Sequence, residues 1–341
     1  MKKQKPKTPS EYHGILLVDK PEGITSHDVV DRVRRIFGTR AVGHTGTLDP
    51  QATGLLVLLL GEATKISEYL MGVDKSYEGT VKFGIVSDSY DMDGDVLPGP
   101  GGAIPTDLAA LQEMANAFVG EISQMPPPFS ARKVGGKKLY EYARSGETPP
   151  QVEPRVVKVG AFELLTLEGD QCEFGVDCGS GTYVRSLAHE LGQKAGCGGV
   201  LSELRRTDVG AFGIEDARTL EQLEALTTAA ERRACLLPIR RALPHLPAVF
   251  LLGGAERWLR NGQAIPSSMV HTEDDRPARR GVPTVLCRIN GEAIAIAKAE
   301  PAPPSPPPRA MAGAPGPWFL PVKLFEIPET RPREEEPEAD E

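Results

Sequence analysis

The stretch TGLLVLLLG, residues 53 to 61, constrains the fold of this chain more than any other segment. Six consecutive residues between two glycines, Leu55 to Leu60, carry no polar side chain. A short apolar run of this kind is typical of a strand buried on both faces. The segment directly before it, GHTGTLDPQA, holds a single carboxylate, Asp49, followed by Pro50. Because a proline restricts the residue before it to extended dihedrals, we expect Asp49 to be held at the edge of a rigid strand.

A carboxylate in this position has two interpretations. Gly46 and Gly54 let the backbone approach a ligand closely, so Asp49 can be a reactive group presented by a rigid scaffold. It can equally form an Asx turn or cap a neighbouring segment. The local residues leave both interpretations open.

The wider pattern of apolar residues predicts an α+β fold. Helices are expected from about residue 27 to 37, from 106 to 118, and from the Gly-rich turn of GSGTYVRSLAHELGQKAG up to about Gly196. The segment YEGTVKFGI alternates, with Tyr77, Val81, Phe83 and Ile85 on one face of a strand. Strands and helices alternate without a βαβ rhythm, which favours a mixed, largely antiparallel sheet over a doubly wound one.

The length of 341 residues allows two domains and two tails. We expect a disordered basic arm over residues 1–10, a main domain over 11–244 and a small β-rich module over 245–326. A proline-rich loop, 301–317, lies within that module, and residues 327–341 read as an acidic disordered tail.

The net charge of −8 does not exclude a nucleic-acid partner. Residues 326 to 341 alone carry −6, and the first seven residues carry four lysines, so the body of the chain is close to neutral. Five cysteines without a CxxC pair indicate reduced thiols and a cytoplasmic protein. No apolar run approaches the length of a membrane span, so no membrane partner is expected.

Five segments, taken in order, resemble successive conserved blocks of the tRNA pseudouridine synthase B family. The resemblance covers about residues 14 to 243 and extends more weakly to 246–326. The segments are GILLVDKPEGITSHDVV, GHTGTLDPQATGLLVLLLGEATK, KSYEGTVKFGIVSDSYDMDGDV, FVGEISQMPPPFSARKVGGKKLYEYARSGE and GSGTYVRSLAHELG; LSELRRTDVGAF matches a further block.

The resemblance implies a pseudouridine synthase type of catalytic domain, followed by a PUA-like module. It implies that uridine 55 in the TΨC loop of tRNA is isomerised to pseudouridine, with the T-arm stem-loop as partner. The reaction changes no oxidation state and imports no group, so no cofactor and no metal are expected. Nothing in the sequence suggests an assembly, and we expect a monomer.

The resemblance also assigns roles to three catalytic residues. Asp49 would be the nucleophile, adding to the base or to the sugar; abstraction of a sugar proton is the alternative route. Arg185 would hold Asp49 ionised, although it could also be a surface arginine at a helix start. Tyr77 would stack on the flipped base, although plain core packing suits it equally.

Further residues are implied to bind the substrate. His44 would fill the space that the base leaves, while Lys20 and Leu204 would line the pocket; a turn histidine, a solvated lysine and a core leucine are the alternatives. Residues 126–150 resemble an RNA-clamping insertion that mixes phosphate contact with stacking. Its candidate contacts are Arg132, Lys133, Lys137, Tyr140 and Arg144.

Three other functions compete with this one. An RNA-binding or tRNA-folding module with auxiliary or no catalysis is the main alternative. The segment SDSYDMDGD, with Asp88, Asp91, Asp93 and Asp95, departs from a calcium loop in the position of its glycine and the missing glutamate. We instead expect a turn at the edge of the pocket, in which Asp88 and Asp91 orient backbone or basic groups. A P-loop enzyme is excluded because GxxxxGK[ST] is absent.

Overall fold

A computed structural model describes residues 10–272, 278–301, 314 and 316–327 of the chain. Almost all of the predicted basic arm, most of the proline-rich loop and almost all of the acidic tail lie outside these residues. The described chain forms two compact units. The large unit contains Ile15–Leu59 and Ile66–Leu236, and the small unit contains Leu60–Lys65 and the chain from Leu237 onward, together with the N-terminal residues up to Gly14.

The large unit contains fourteen strands and seven α-helices within the described residues. The strands are β1 (Gly14–Lys20), β2 (Val42–His44), β3 (Thr53–Leu60), β4 (Lys75–Phe83), β5 (Ile85–Ser87), β6 (Val96–Pro98), β7 (Gly120–Gln124), β8 (Lys133–Val134), β9 (Lys137–Lys138), β10 (Arg155–Glu168), β11 (Gln171–Cys178), β12 (Gly199–Val209), β13 (Phe212–Gly213) and β14 (Arg218–Thr219). The helices are α1 (Ser26–Ile36), α2 (Ser67–Leu70), α3 (Leu108–Asn116), α4 (Leu139–Ser145), α5 (Val184–Ala195), α6 (Leu220–Glu224) and α7 (Ala229–Ala234).

One ten-stranded sheet forms the centre of the large unit. Its main order is β14-β1-β3-β12-β4-β11-β10-β7, with β2 beside β3 and β13 beside β12. Strand β12 runs parallel to β3 and antiparallel to β4. The next pairs in the sheet, β4–β11, β11–β10 and β10–β7, are all antiparallel. The expectation of a mixed, largely antiparallel α+β fold is therefore confirmed.

The core of the sheet follows from the apolar pattern. Residues Leu55 to Leu60 of β3 are almost completely buried, as expected for a strand covered on both faces. Further along the sheet, alternate residues of β4, β10 and β11 point into a second cluster with α3 and α5, while their neighbours face outward.

The helix boundaries follow from capping residues. Thr25 accepts the backbone N–H of Asp28 at 3.1 Å and the Asp28 carboxylate accepts the N–H of Thr25 at 2.9 Å, so the predicted capping box starts α1. Helix α5 ends at Gly196, which has a φ of 79°.

The predicted strand face is wrong at one residue, Ile85. Strand β4 stops at Phe83 because Gly84 takes a φ of 80°, and Ile85 begins the separate hairpin β5–β6. This break places the loop of the hairpin, residues 88–95, next to the first turn of α5.

The small unit is a β-rich module of the PUA-like kind. Its six-stranded sheet has the order β16-β20-β19-β18-β15-β17, and its core is lined by Val249, Leu259, Leu286, Ile294 and Phe319. The elements are β15 (Ala248–Leu251), α8 (Ala255–Arg260), β16 (Ile265–Pro266), β17 (Val270–His271), β18 (Pro283–Cys287), β19 (Ala293–Glu300) and β20 (Trp318–Leu324). Among the described residues of the chain, no helix is long and apolar enough to cross a membrane.

Candidate active site

The segment that carries Asp49 joins β2 to β3, and we call residues 45–52 the Asp49 loop. The hydroxyl of Ser26, in the first turn of α1, donates to the carbonyl of Leu48 at 3.0 Å and accepts its N–H at 2.8 Å. At the start of the loop, the N–H of Thr45 donates to the carbonyl of Val57 at 3.2 Å. The loop is therefore tied to a helix on one side and to the buried strand on the other.

Asp49 forms an ion pair with Arg185. The distance from Nη2 of Arg185 to Oδ2 of Asp49 is 3.0 Å. The arginine side chain is 7% exposed, whereas the aspartate side chain is 44% exposed. A buried guanidinium thus holds a carboxylate whose outer side is open to a substrate.

Arg185 contacts three further acceptors. Its Nη1 lies 3.1 Å from Oδ2 of Asp91 and donates to the carbonyl of Ser89 at 3.0 Å. Its Nη2 donates to the carbonyl of Phe129 at 3.1 Å. A cation in the first turn of a helix is disfavoured by the helix dipole, and the two carboxylates offset this cost. The expectation that Arg185 is the partner of Asp49 agrees with this geometry.

The electrostatics of Asp49 result from opposing effects. Desolvation raises the pKa of Asp49, the positive charge of Arg185 lowers it, and the negative charges of Asp91 and Asp93 raise it again. The net shift of the pKa is upward. The guanidinium of Arg185 therefore favours the ionised form of Asp49 against burial and the neighbouring carboxylates.

Tyr77 lies in β4, opposite Arg206 of β12. Burial raises the pKa of Tyr77, and the positive charge of Arg206 opposes that rise. The charge of Asp49 also acts on the Tyr77 hydroxyl. Tyr77 packs against the core cluster of the sheet and is partly exposed, so its side chain borders both the core and the site.

Arg206 is the largest side chain that the described chain buries completely. Its Nε donates to the carbonyl of Leu55 at 2.7 Å, and its Nη2 donates to the carbonyl of Gly46 at 3.1 Å. It thus joins β3 to the Asp49 loop from the ladder position opposite Tyr77.

Lys20 is buried beneath the site and supports the Asp49 loop. Its Nζ donates to the carbonyls of Pro21, Ile24 and Pro50 at 2.9, 2.7 and 3.0 Å. Burial lowers the pKa of Lys20 to about 8, and the charge of Asp49 opposes this shift. With its three donors used in this way, Lys20 holds Pro50 in place; a direct contact with substrate stays a prediction.

His44 and Leu204 are both partly buried next to this network. Burial and the charge of Arg206 lower the pKa of His44, so its ring is neutral at physiological pH. Leu204 lies opposite Gly79 in the β12–β4 ladder and packs against the sheet core. Their roles toward a substrate stay predictions.

Two regions of the chain match models of a single protein family. Residues 34–184 match "TruB family pseudouridylate synthase (N terminal domain)", and residues 185–244 match "tRNA pseudouridylate synthase B C-terminal domain". A relative from Opitutus terrae, tRNA pseudouridine synthase B, is 47% identical over 239 residues, which are 69% of this chain and 97% of the relative. The chain belongs to the TruB family of pseudouridylate synthases.

A further relative and one solved structure are also similar to this chain. The tRNA pseudouridine synthase B of Solibacter usitatus is 42% identical over 285 residues, 83% of this chain and 94% of that protein. A structure described as an H/ACA RNP bound to a substrate RNA containing 2'-deoxyuridine aligns with a TM-score of 0.66 and 25% identity. That alignment covers 94% of this chain and 86% of the other.

The two matched regions contain both site arginines and the acidic and aromatic residues around them. Asp49, Tyr77 and Asp91 lie within the first matched region, and Arg185 and Arg206 lie within the second. The predicted turn at the edge of the pocket also has the expected polar contacts. Asp88 accepts the N–H of Asp95 at 2.9 Å, while Asp91 pairs with Arg185. Among the described residues, no cluster of three potential metal ligands occurs.

The predicted RNA-clamping insertion forms the hairpin β8–β9 and helix α4. Lys133 is exposed, and Lys137 pairs with Glu147 at 2.9 Å. The ring of Tyr140 is contacted by Lys138 and Arg144, whose charges lie 5.2 and 5.3 Å from its centroid. Nη1 of Arg132 is buried and makes no hydrogen bond to the described residues. The insertion thus presents charge and aromatic surface, and its contacts with RNA stay predictions.

Sequence reasoning missed Arg206 as a part of the site. Its segment, LSELRRTDVGAF, supports the resemblance only as a block, because two adjacent arginines are the same residue type and neither stands out. The signal lay in the alternation. In this strand Arg206 shares the inward face with Leu204, whereas Arg205 reaches Asp19 at 2.8 Å with 41% of its side chain exposed.

Close approach of β3 and β12 at Arg206 gives a prediction about Gly54. Gly54 has a φ of 95°, and a Cβ there would lie 2.7 Å from the backbone nitrogen of Arg206 and nearer still to its carbonyl oxygen. We expect Gly54→Ala to lower the free energy of unfolding by roughly 2–4 kcal/mol, through overpacking and strain. Urea unfolding measures this. Gly43→Ala, where a Cβ meets no atom within 4 Å, is the matched control, and equal stability of the two variants would contradict the packing argument.

Proposed function

We propose that this protein converts uridine 55 in the TΨC loop of tRNA to pseudouridine. The observation that carries the proposal is the ion pair between the accessible carboxylate of Asp49 and the buried guanidinium of Arg185, beside Tyr77, in a chain of the TruB family. The tRNA substrate is supported by the names of the relatives, and the position within tRNA is part of the proposal.

The reaction is an isomerisation in which atoms balance without a co-reactant. The bond from N1 of uracil to C1′ breaks, the base turns, and C5 bonds to C1′; the C5 proton leaves and N1 gains a proton. Asp49 supplies a carboxylate that adds to the base or to C1′, or that removes a sugar proton. Arg185 keeps this carboxylate charged and directed, and Tyr77 provides a surface for the uracil.

Access to the base requires that the uridine leave the folded RNA loop. Extrusion costs stacking energy, and an aromatic side chain restores about 1–3 kcal/mol of it per base. The partly exposed ring of Tyr77, which lies within reach of the charge of Asp49, supports this role. His44, neutral and next to Arg206, is proposed to fill the space left in the loop.

Phosphate contact by the insertion leads to a prediction about salt. We expect the logarithm of the association constant for a T-arm stem-loop to fall linearly with the logarithm of the salt concentration. Lys133→Gln should reduce that slope by about one, since the exposed Lys133 would neutralise one phosphate. Fluorescence anisotropy across a salt series measures the slope. Lys158→Gln, an exposed lysine on β10, is the control, and identical slopes for both variants would exclude Lys133 from the RNA contact.

We also propose that the protein acts as a cytoplasmic monomer without a cofactor. The main alternative function is an RNA-binding or tRNA-folding module with auxiliary or no catalysis. The alternative leaves the ion pair of Asp49 without a role, whereas isomerisation uses it directly.

The test in cells is a map of pseudouridine in bulk tRNA. Cells that lack this protein should contain uridine at position 55 and keep their other pseudouridines. A gene copy that encodes the parent protein should restore the modification, and a copy with Asp49→Asn should not. Unchanged pseudouridine at position 55 in the deletion strain would contradict the proposed substrate.

A further inference from the structure

Tyr90 occupies an unusual backbone position between two partners of Arg185. Among the described residues it is the one non-glycine residue with a positive φ, 68°. Its two neighbours supply acceptors for the guanidinium: the carbonyl of Ser89 before it and the carboxylate of Asp91 after it. A side chain in this region of φ is strained, and such strain persists only when the surrounding structure holds it.

Two contacts hold the residue in this conformation. The carbonyl of Tyr90 accepts the N–H of Leu201 at 3.0 Å, which ties the β5–β6 loop to the start of β12. The ring of Tyr90 stacks on the ring of His189, with centroids 3.8 Å apart and planes at 11°. The first contact fixes the backbone, and the second fixes the side chain against another element.

His189 connects this stack to the same helix that carries Arg185. The two residues are four positions apart on α5, so they lie on one face of the helix. Burial lowers the pKa of His189, which favours the neutral ring. Its Nδ1 is buried and makes no hydrogen bond to the described residues. At the Nδ1 edge, the His189 ring is therefore oriented by its stacking on Tyr90.

We propose that Tyr90 and His189 are positioning residues for the reaction. Their stack locks the β5–β6 loop onto α5, in the conformation that presents the Ser89 carbonyl and the Asp91 carboxylate to Arg185. Arg185 in turn directs the carboxylate of Asp49. The inference rests on the proposed function, since it assigns the stack a role in keeping the catalytic ion pair in place.

The structure offers variants that separate the ring from the backbone. Tyr90→Gly removes the ring and relieves the strained φ. If the ring has no role in positioning Arg185, this variant should be folded and fully active. Tyr90→Phe and His189→Phe keep two stacked rings, and His189→Ala removes one. Gln193→Ala, an exposed change on the same helix, is the control for disturbance of α5.

Steady-state kinetics on a T-arm stem-loop tests the role in catalysis. We expect Tyr90→Gly and His189→Ala to lower kcat by about 10- to 100-fold, because small displacements of reacting groups have effects of this size. KM should change little, and the acid limb of the pH profile should move to higher pH as Asp49 loses its directed partner. Both phenylalanine variants and Gln193→Ala should behave like the parent. Equal kcat and equal pH profiles for Tyr90→Gly and Tyr90→Phe would overturn the inference.

A second measurement needs no activity and separates the two proposals. Nitrogen-15 NMR of the free protein reports rotation of the Arg185 guanidinium, with Arg185→Lys used to assign its resonances. Tyr90→Gly should release that rotation, whereas Tyr90→Phe should leave it restricted. This result supports the positioning role even if the parent forms no pseudouridine, a failure that would count against the proposed function alone. Unchanged rotation in Tyr90→Gly overturns the positioning role whatever the activity is.

Discussion

Asp49→Asn is expected to abolish pseudouridine formation while leaving the affinity for the T-arm stem-loop almost unchanged. Asparagine keeps the shape of the side chain and still offers an oxygen to Arg185. It lacks the negative charge that each route to isomerisation requires, so turnover should fall by at least about 10⁴-fold, as for loss of other covalent catalysts. Release of tritium from C5-labelled uridine measures turnover, and anisotropy measures affinity.

The stability of this variant is a useful control because the sign of the effect is defined. Asp49 has a raised pKa in the folded protein, so its protonated form is favoured by folding. The stability that it contributes is present below the pKa of the unfolded chain and is lost as pH rises through the folded pKa. At neutral pH the asparagine variant should therefore be no less stable than the parent. Appreciable turnover by a folded variant would remove Asp49 from the chemistry.

Arg185→Gln should have the second large effect, on activity, pH dependence and stability together. The charge of Arg185 lowers the pKa of Asp49, so its loss raises that pKa further above the usual value. The acid limb of kcat/KM should move to higher pH, with a loss of about 100-fold or more at neutral pH. Asp91, with 10% of its side chain exposed, would lose its counter-charge, a change that costs about 3–5 kcal/mol.

Arg205→Gln is the matched control for this prediction. It removes an arginine from the same sheet, 41% exposed and paired with Asp19, so its effect on stability should be about 0–1 kcal/mol and its pH profile should be that of the parent. A pH profile of Arg185→Gln that also coincides with that of the parent would show that Arg185 does not control the ionisation of Asp49.

The sequence predicted the elements whose cause is local. The apolar run of β3, the capping box at Thr25 and the terminal glycine of α5 each determine structure within a few residues, and all three are found where expected. The prediction that the strand continues to Ile85 is wrong. Gly84 takes a positive φ that ends the strand, and the sequence does not show which glycines have a positive φ. Alternation alone gave no sign of the break.

The resemblance named three residues of the candidate site, but it did not give the contacts between them. Asp49, Arg185 and Tyr77 came from resemblance, and the geometry brings the first two within 3.0 Å. The carbonyls of Ser89 and Phe129, which complete the shell of Arg185, are backbone groups from loops far apart in sequence. No residue type encodes such an acceptor. The stack of Tyr90 on His189 likewise depends on a backbone angle that the sequence does not display.

We propose that the carboxylate of Asp49 performs an isomerisation on one uridine of tRNA. The most direct test is to incubate the purified full-length protein with an unmodified tRNA transcript and to map every pseudouridine formed. We expect conversion at position 55 by the parent and none by Asp49→Asn at the same RNA occupancy. Absence of pseudouridine at that position with the parent, or its formation at the parent rate by the variant, would contradict it.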